Sequence, residues 1–387
     1  MFLKRLLIAL TLTGLVKLAN ADQTINISSP DGNVQLGVLH RTNGELVYHF
    51  FYKGKTIISP SVLGMKFSSP KVSLTQFNLS GVDSSVTDET WKPVWGEVST
   101  IRNNYRKMVL KLLDRSGSGI ILEIEFKIFN DGVGFRYLFP QQDKLNHFIV
   151  EDELTQFAMS GDHKAFWIPG DYDTNEFAYY NTNLSGVDAS GGGAAQEIHG
   201  KTSFGKNGVQ TPLMMKSADG LYINIHEAAL VNYPAMNLLL DKSTNTFSSH
   251  LVPDAVGNKA YLQAPAKTPW RTIIVSDKAT EILASKMILN LNEPSKIADE
   301  SWIKPQKMIG VWWELHVDKS RWDYGSTQKG SVLTPHGKHG ATTANVKKYI
   351  DFAAKNGIEG VLVEGWNTGW EDWYGQWKED VFDFVTP

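Results

Sequence analysis

The sequence predicts a multidomain protein in which an antiparallel β region precedes an α/β region, and three observations predict this. Residues from Asp22 to about Leu291 alternate between apolar and polar side chains and are interrupted by turn residues, which is typical of half-buried strands. A polar stretch follows over residues 292–307. Beyond it, two short apolar runs flank a segment with helical spacing, which indicates a β-α-β unit with parallel strands.

The first 21 residues have the ordered features of an export signal. Lys4 and Arg5 precede an apolar run from Leu6 to Val16, and small residues follow at 19–21. This order predicts cleavage after Ala21 and a secreted protein. The run is shorter than the ~20 apolar residues that a membrane span needs, so no membrane span is expected. A buried N-terminal helix is the alternative interpretation.

The composition excludes one class of partner. The formal net charge of −3 gives no basic field for a nucleic acid, which is recognised through basic patches. The chain has no cysteine, so its stability must come from core burial, to which bound ions can add. With 387 residues, it is long enough for two or three domains.

The β region is predicted to form one large structure. Alternation is clear over Val34–Val38 and Leu122–Ile128, and turn residues stand at Lys53–Lys55 and Asn130–Gly132. About 270 residues is long for a single sandwich, so a two-sheet or super-sandwich architecture is expected over residues 22–291. The pattern becomes helical over Ala279–Leu289, and the linker 292–307 follows.

The α/β region begins at residue 308. Met308–Trp313 reads as a short apolar strand, and Val361–Val363 reads as a second one. Between them lies a helical pattern that Thr342 or Thr343 can cap and Gly357 can end. Both strands are nearly all apolar, which predicts burial on both faces. Because a (β/α)8 barrel needs roughly 250 residues, we expect residues 308–387 to be an incomplete start of such a barrel.

Function in a parallel α/β architecture collects at the carboxyl ends of the strands. The first strand is followed by tryptophans and by Glu314 and His316, and the second by Glu364. Indoles beside a carboxylate and a carboxamide suit a sugar, because its hydroxyls take hydrogen bonds and its C–H faces stack on rings. The tryptophans could instead be core residues, and Glu314 and His316 could have ordinary surface partners. A buried Glu364 would need a partner or a place at the mouth of the barrel.

Three segments of the β region have compositions that are found at other kinds of site. Residues 166–176 are dense in aromatic and carboxylate side chains, which suits calcium, but without an EF-hand spacing a solvated loop is the simpler interpretation. His226–Leu230 begins like a zinc protease motif but has Leu230 in place of the second histidine. Gly191–Gly193 lacks the strand-to-helix context of a phosphate-binding loop.

Several segments together resemble glycoside hydrolase family 97, and especially its starch-utilising α-glucosidases from gut bacteria. The resemblance covers the chain from about Asp22 to Pro387. The matching segments are Gly170–Thr174, His226–Leu230, Thr268–Thr272, Gly310–Trp313, Val363–Asn367 and Gly369–Trp373.

The resemblance implies a fold and an activity. The fold is a β-super-sandwich like that of galactose mutarotases, followed by the start of a TIM-type catalytic barrel. The activity is a calcium-dependent glycoside hydrolase of the bacterial periplasm that acts on α-glucosidic bonds of starch-derived oligosaccharides. The resemblance assigns Glu176 as a calcium ligand. It also assigns five substrate-binding residues: Trp312, Trp313, Glu364, Trp366 and Asn367.

No catalytic residue is carried over to this chain. The acid and the base or nucleophile of the family lie beyond Pro387, so the chain alone is expected to be inactive, and the choice between inversion and retention stays open. An α-galactosidase of the same family is one alternative. A non-catalytic carbohydrate-binding module and a structural envelope protein are two others. The binding module would bind a sugar without turnover, whereas the structural protein would bind no sugar.

Overall fold

The computed structural model describes residues 22–191, 202–311, 313–320, 325–329, 332–335, 340 and 342–363. The chain divides into two compact units. The first unit runs to Lys92 and continues over Thr100–Lys296, whereas the second comprises Pro93–Ser99 and Ile297–Pro387. The predicted export signal, residues 1–21, lies outside the described residues.

The first unit consists mainly of strands. In chain order they are β1 (Gln23–Ser28), β2 (Val34–His40), β3 (Leu46–Tyr52), β4 (Lys55–Val62), β5 (Met65–Ser69), β6 (Lys71–Leu74), β7 (Phe77–Trp91), β8 (Ile101–Asp114), β9 (Ile121–Phe129), β10 (Gly132–Phe139), β11 (His147–Glu153), β12 (Gln156–Met159), β13 (Lys164–Trp167), β14 (Tyr180–Asn183), β15 (Gly208–Gln210), β16 (Leu213–Lys216), β17 (Tyr222–Ala228), β18 (Met236–Asp241), β19 (Thr246–Leu251), β20 (Ala260–Gln263), β21 (Ala266–Lys267) and β22 (Trp270–Ser276). Two 3-10 turns, Leu184–Gly186 and Ala189–Gly191, follow β14.

Three sheets account for these strands among the described residues. One has the order β1-β2-β3-β4-β12-β19-β18-β15. The largest has the order β14-β13-β16-β17-β22-β10-β9-β8-β7, with β21 paired to β10, and a third has the order β20-β11-β5-β6. Neighbouring strands run antiparallel, as in the pairs β2 with β3, β9 with β10, and β17 with β22.

The two larger sheets pack face to face through aromatic side chains. Phe135 of β10 lies 5.2 Å from Tyr48 of β3 and 6.3 Å from Phe157 of β12, measured between ring centroids. It also contacts Phe126 of β9, a neighbour in its own sheet. All four rings are buried, and each contributes on the order of 1.5–3 kcal/mol by burial. The predicted β-sandwich architecture of this region is therefore what the structure has.

The two predicted turns are present. Lys53 and Gly54 both have positive φ, +50° and +77°, and they join β3 to β4 as a two-residue hairpin loop requires. Asn130 and Asp131 join β9 to β10.

The helical pattern predicted over Ala279–Leu289 is confirmed, and the structure divides it into two short helices. They are α1 (Ala279–Ala284) and α2 (Met287–Asn290). Ser285 separates them: its hydroxyl donates to Asp131 Oδ2 at 2.6 Å and accepts from the Met287 N–H at 3.2 Å. A side chain that bonds both an adjacent strand turn and a backbone amide competes with helix continuation.

The second unit contains β23 (Met308–Gly310), α3 (Trp313–His316), β24 (Gly325–Lys329), β25 (Val332–Pro335), α4 (Thr343–Lys355) and β26 (Gly360–Leu362). β23 and β26 pair in parallel with α4 between them in the chain, so the predicted β-α-β unit is confirmed. The cap of α4 is Thr342, whose hydroxyl accepts from the Asn345 N–H, and Gly357 follows the helix with φ +63°. The antiparallel hairpin of β24 and β25 was not predicted.

Two predictions about this unit are wrong. The first strand stops at Gly310 instead of Trp313, because the chain turns into α3, where the Glu314 N–H donates to Val311 O. The strands are also not buried on both faces. Val311, just beyond β23, is buried, but Met308 is 64% exposed and Leu362 is 42% exposed, since the two strands pair only with each other among the described residues. Two strands and one helix cannot cover both faces of a sheet.

Candidate functional site

A cavity of about 530 Å³ opens in the first unit. Its wall is formed by the loop 171–176, by Gln210 and Thr211 at the end of β15, by His226 and Glu227 of β17, and by Met236 and Asn237 of β18. The volume lies within the range of about 300–1,000 Å³ that is typical of small-molecule sites.

Buried amides fix the backbone of the loop 171–176. The Gln210 Nε2 donates to Pro169 O at 2.9 Å and to Thr174 O at 2.7 Å. The Asn237 Nδ2 donates to Asp171 O at 3.4 Å. Because both amide side chains are buried on regular strands, the loop is held to the sheet on its inner side.

Asp171 is the most buried acidic residue of this loop, with 4% exposure. Its Oδ1 accepts hydrogen bonds from the N–H groups of Asp173, at 2.9 Å, and Thr174, at 3.2 Å. Its Oδ2 is buried and has no hydrogen-bond partner among the residues that the structure describes. The carboxylate therefore organises the turn with one oxygen and leaves the other unused.

His226 also carries an unpaired atom at this cavity. It is only partly exposed, and its Nδ1 is buried with no partner in the described part of the chain. Burial lowers the pKa of His226 below its ordinary value, so the imidazole is neutral at neutral pH.

A stack of three rings flanks the loop. The Tyr172, Phe204 and His250 rings lie nearly parallel, with Phe204 4.2 Å from His250 and 5.2 Å from Tyr172 between centroids. The Tyr172 hydroxyl and His250 Nε2 are 2.6 Å apart. Burial, followed by the charge of Lys259, lowers the pKa of His250 to about 4. At neutral pH the imidazole is therefore uncharged, and its Nε2 can accept a hydrogen bond from the Tyr172 hydroxyl.

Gly170 makes room for this stack. A Cβ at residue 170 would lie 2.2 Å from the Phe204 ring, which is closer than side chains pack. Only glycine allows the loop to approach the ring this closely.

A buried ion cluster adjoins the cavity. Arg271 is fully buried, and its Nε and Nη2 donate to the two oxygens of Glu153 at 2.8 and 2.7 Å. Its Nη1 donates to Glu227 Oε2 at 2.6 Å. Thr155 and Tyr233 hydroxyls donate to Glu153 as well. The guanidinium thus contacts two carboxylates whose oxygens also accept hydrogen bonds from other groups.

Glu227 connects this cluster to the cavity wall. Its second oxygen accepts the Met236 N–H at 3.1 Å, so it anchors the start of β18. Burial raises the pKa of Glu227 above its ordinary value, against the opposing charge of Arg271. Burial also acts to lower the pKa of Arg271, but the carboxylates of Glu153 and Glu227 outweigh it and raise the value overall. With both its oxygens engaged, Glu227 acts as a structural anchor of the wall.

The predicted site residues are located as follows. Glu176 lines the cavity, is exposed, and donates its N–H to the Thr174 hydroxyl at 3.2 Å. Trp313 is 70% exposed in α3, and its ring lies 5.4 Å from that of His316. Trp312, Glu364, Trp366 and Asn367 lie outside the described residues.

The cavity has oxygen atoms of the kind that calcium binds. Calcium takes six to eight oxygen ligands, and the carboxylates of Glu176 and Asp171 have the right chemistry. However, no group of three or more His, Asp or Glu side chains in the described part of the chain could hold a metal ion.

Glu314 is buried in α3, so the alternative interpretation that gave it an ordinary surface partner is wrong. Its carboxylate accepts from Lys319 Nζ, Asn345 Nδ2 and the Tyr349 hydroxyl. Burial acts to raise its pKa, but these hydrogen bonds lower it overall. Glu314 thus ties α3 to α4.

Most of the polar residues that line this cavity lie in the segments 166–176 and His226–Leu230, which the sequence pattern singled out, but it gave no role to Gln210, Asn237 or Arg271. Arg271 carried a usable signal, because it stands inside the otherwise apolar strand Trp270–Ser276, and a charge there requires buried partners. Gln210 and Asn237 carried no such signal, since single amides in short strands are common.

Both parts of the chain match family models. Residues 27–294 match the model described as Glycosyl-hydrolase 97 N-terminal, and residues 312–387 match the model described as Glycoside hydrolase 97.

Curated relatives and solved structures agree with these models. A retaining alpha-galactosidase of Bacteroides thetaiotaomicron is 26% identical over 89% of this chain and 51% of its own length. A probable retaining alpha-galactosidase of Streptomyces bingchenggensis is 25% identical over 89% of this chain and 46% of its own length. A family 97 enzyme from Pseudoalteromonas sp. strain K8, solved with acarbose, is 37% identical with a TM-score of 0.75 over 90% of this chain and 49% of that one.

The chain thus spans about half the length of the relatives it matches. No helix among the described residues is long and apolar enough to cross a membrane.

Proposed function

This chain belongs to glycoside hydrolase family 97, and from that premise we propose that the full-length protein hydrolyses α-glucosidic bonds of starch-derived oligosaccharides. One observation carries the proposal. The 37% identical family 97 enzyme of Pseudoalteromonas sp. strain K8 was solved with acarbose and, as an E480Q variant, with panose. The curated relatives are less similar, at 26% and 25% identity.

The cavity of the first unit is chemically compatible with a sugar. Its acidic loop offers acceptors for hydroxyl groups, and Tyr172 offers an aromatic ring. Its carboxylates disfavour anionic ligands by like-charge repulsion.

Glycosidases of this kind use two carboxyl groups, one to protonate the leaving oxygen and one to activate water or attack the sugar carbon. We assign neither role to a described residue. Glu227 is unsuited because both its oxygens are engaged, and Glu314 is unsuited because three donors hold it. We propose that the catalytic pair lies outside the described residues.

Residues 308–387 are proposed to begin a (β/α)8 barrel. The parallel pair of β23 and β26 with α4, and the family match over 312–387, support this. Substrate contacts remain proposed for Trp312, Trp313, Glu364, Trp366 and Asn367. The exposure of Trp313 is compatible with stacking on a sugar.

Calcium and export remain part of the proposal. Glu176 would supply one carboxylate to a calcium ion whose other ligands come from outside the described residues, and bound calcium would hold water or polarise an oxygen. Export to the bacterial periplasm is supported by the ordered features of residues 4–21.

An α-galactosidase is the second candidate, because both curated relatives carry that name. The two activities differ in the orientation of one hydroxyl, O4. A misplaced hydrogen bond to a charged partner costs about 1.5–3 kcal/mol, or roughly 10- to 100-fold in rate.

The test compares kcat/KM of the full-length enzyme for an aryl α-glucoside and an aryl α-galactoside. We expect the glucoside to be preferred at least about tenfold, and activity on it to fall when calcium is chelated. Preference for the galactoside would support the second candidate. Failure to turn over either substrate would refute the hydrolase proposal.

A further inference from the structure

Gln210 bridges two backbone carbonyl groups that lie on either side of the turn at Asp171. Its own N–H donates to Ile168 O at 3.2 Å, which aligns the end of β15 with the segment that leads into this turn. Its Nε2 donates to Pro169 O at 2.9 Å, before the turn, and to Thr174 O at 2.7 Å, after it. The side chain is buried, and an amide NH₂ has two hydrogens, so both are used inside the protein.

Thr174 transmits this contact to Glu176. Its carbonyl is bound by Gln210, its N–H donates to Asp171 Oδ1 at 3.2 Å, and its hydroxyl accepts the Glu176 N–H at 3.2 Å. Thr174 is therefore fixed through both its backbone groups, and it fixes in turn the backbone from which the Glu176 side chain extends. Glu176 is exposed and lines the cavity. The contacts thus run from a buried strand residue to a carboxylate at the cavity wall.

The shape of this loop depends on such side-chain contacts, because residues 172–176 belong to no strand or helix. Asn237, which is opposite Gln210 in the pairing of β15 with β18, adds a longer contact from its Nδ2 to Asp171 O at 3.4 Å. Removing a donor leaves a buried acceptor unsatisfied, which shifts the local equilibrium by about 5- to 100-fold. Since Gln210 serves two carbonyl groups at shorter distances, its loss should displace the loop most.

We propose that Gln210 is a positioning residue, which sets the place of Glu176 at the cavity wall through Thr174. The inference rests on the proposed function only for its kinetic consequence. In the full-length hydrolase, a displaced Glu176 lowers kcat more than it changes KM, because a misplacement of ~1 Å at a reacting centre can cost about 100-fold in rate.

Hydrogen–deuterium exchange of the 387-residue chain tests the contact directly. Gln210→Met keeps the length of the side chain and removes both donors. We expect the backbone amides of Thr174 and Glu176 to exchange at least about tenfold faster, because their acceptors are no longer held in place. The amides of the central strands β17 and β22 should exchange as in the parent chain.

Gln142→Met is the matched control. The Gln142 Nε2 also donates to two carbonyl groups, Ile121 O at 2.8 Å and Pro140 O at 3.2 Å, but Gln142 does not line the cavity. This variant should leave the exchange of the loop 171–176 and kcat of the full-length protein unchanged. Urea unfolding of every variant verifies that it folds.

Substitutions of Thr174 test the transmission to Glu176 even if Gln210→Met does not fold. Thr174 is partly exposed, and Thr174→Val removes only the hydroxyl that accepts the Glu176 N–H. We expect the Glu176 amide to exchange about three- to tenfold faster in Thr174→Val. Thr174→Ser restores the acceptor and should restore the exchange.

The kinetic test uses the full-length protein and an aryl α-glucoside. Gln210→Met should lower kcat about tenfold or more and change KM by less than about threefold. Thr174→Val should lower kcat about three- to tenfold, and Thr174→Ser should recover most of that loss. A residue that only stabilised the fold would show no such recovery and no separation of kcat from KM.

Unchanged exchange at Glu176 in both Gln210→Met and Thr174→Val would overturn the proposal. So would equal losses of kcat in Thr174→Ser and Thr174→Val, or the same effects in Gln142→Met. The two proposals fail separately. If the parent full-length protein turns over neither aryl glycoside, the proposed function is refuted, whereas faster loop exchange in Gln210→Met still supports the positioning role. Turnover by the parent, with loop exchange and kcat unchanged in Gln210→Met, would do the reverse.

Discussion

Two regions with buried carboxylates adjoin the cavity of the first unit, and they differ in how the carboxylate oxygens are hydrogen-bonded. In the ion cluster, Glu153 and Glu227 surround Arg271, and hydroxyl or backbone donors occupy oxygens of both carboxylates. In the loop 171–176, Asp171 has an oxygen that no described residue binds. Burial of a carboxylate therefore does not by itself say how its oxygens are used, since both regions bury carboxylates and differ in their hydrogen-bond partners.

Disrupting the ion cluster is expected to have the largest effect on stability. Arg271→Met leaves two carboxylates buried without their counter-charge, and we expect the free energy of unfolding of the first unit to fall by about 3–5 kcal/mol. Urea denaturation followed by tryptophan fluorescence measures this. The matched control is Arg102→Met, because Arg102 pairs with Asp88 on the surface and should leave the unfolding midpoint nearly unchanged. Equal midpoint shifts in the two variants would contradict the assigned role of the cluster.

The loop has one internal pairing that depends on pH. The pKa of His250 is about 4 in the folded protein, below the value of about 6.5 for an unfolded chain. As the pH falls through this window the unfolded chain takes up the proton first, so this contribution to stability is complete above about pH 6.5 and is lost towards pH 4.

We expect His250→Phe to keep the stack and remove this dependence. Between pH 7 and pH 4 the parent chain should lose about 1–2 kcal/mol more stability than the variant, after a reduction for partial solvent exposure. Urea unfolding midpoints measured at several pH values test this. If the midpoints of the two proteins change equally with pH, the neutral form of His250 does not stabilise the loop.

The smallest effect on stability is expected at Asp171. Asp171→Asn keeps the acceptor for the turn and removes a charge that no described residue pairs, so the free energy of unfolding should stay within about 1 kcal/mol of the parent value. Asp114 is the matched control, because it is similarly buried but its Oδ2 accepts from Ser116 and Ser118. Asp114→Asn should cost about 1.5–3 kcal/mol. A loss at Asp171 as large as at Asp114 would mean that the carboxylate is structural.

The sequence by itself determined the architecture of the first unit and the β-α-β order of the second. Alternation over segments such as Leu122–Ile128 specifies which face of a strand is buried, and Gly54 and Thr342 specify a turn and a helix cap through local geometry. The segments that resemble family 97 also determined the family, which the matches over 27–294 and 312–387 confirm. These features depend on residues close together in the chain.

Only the tertiary structure decided which polar residues meet. Arg271 and Glu153 are 118 positions apart in the chain, and Gln210 and Pro169 are 41 positions apart. No local sequence pattern can therefore predict either contact. The helical segment expected over Ala279–Leu289 is divided at Ser285, whose hydroxyl donates to Asp131, 154 positions away. The sequence also could not distinguish the saturated Glu227 from the unsatisfied Asp171. Hydrogen-bond saturation is a property of all the groups that surround an atom, and the fold brings these together from distant strands.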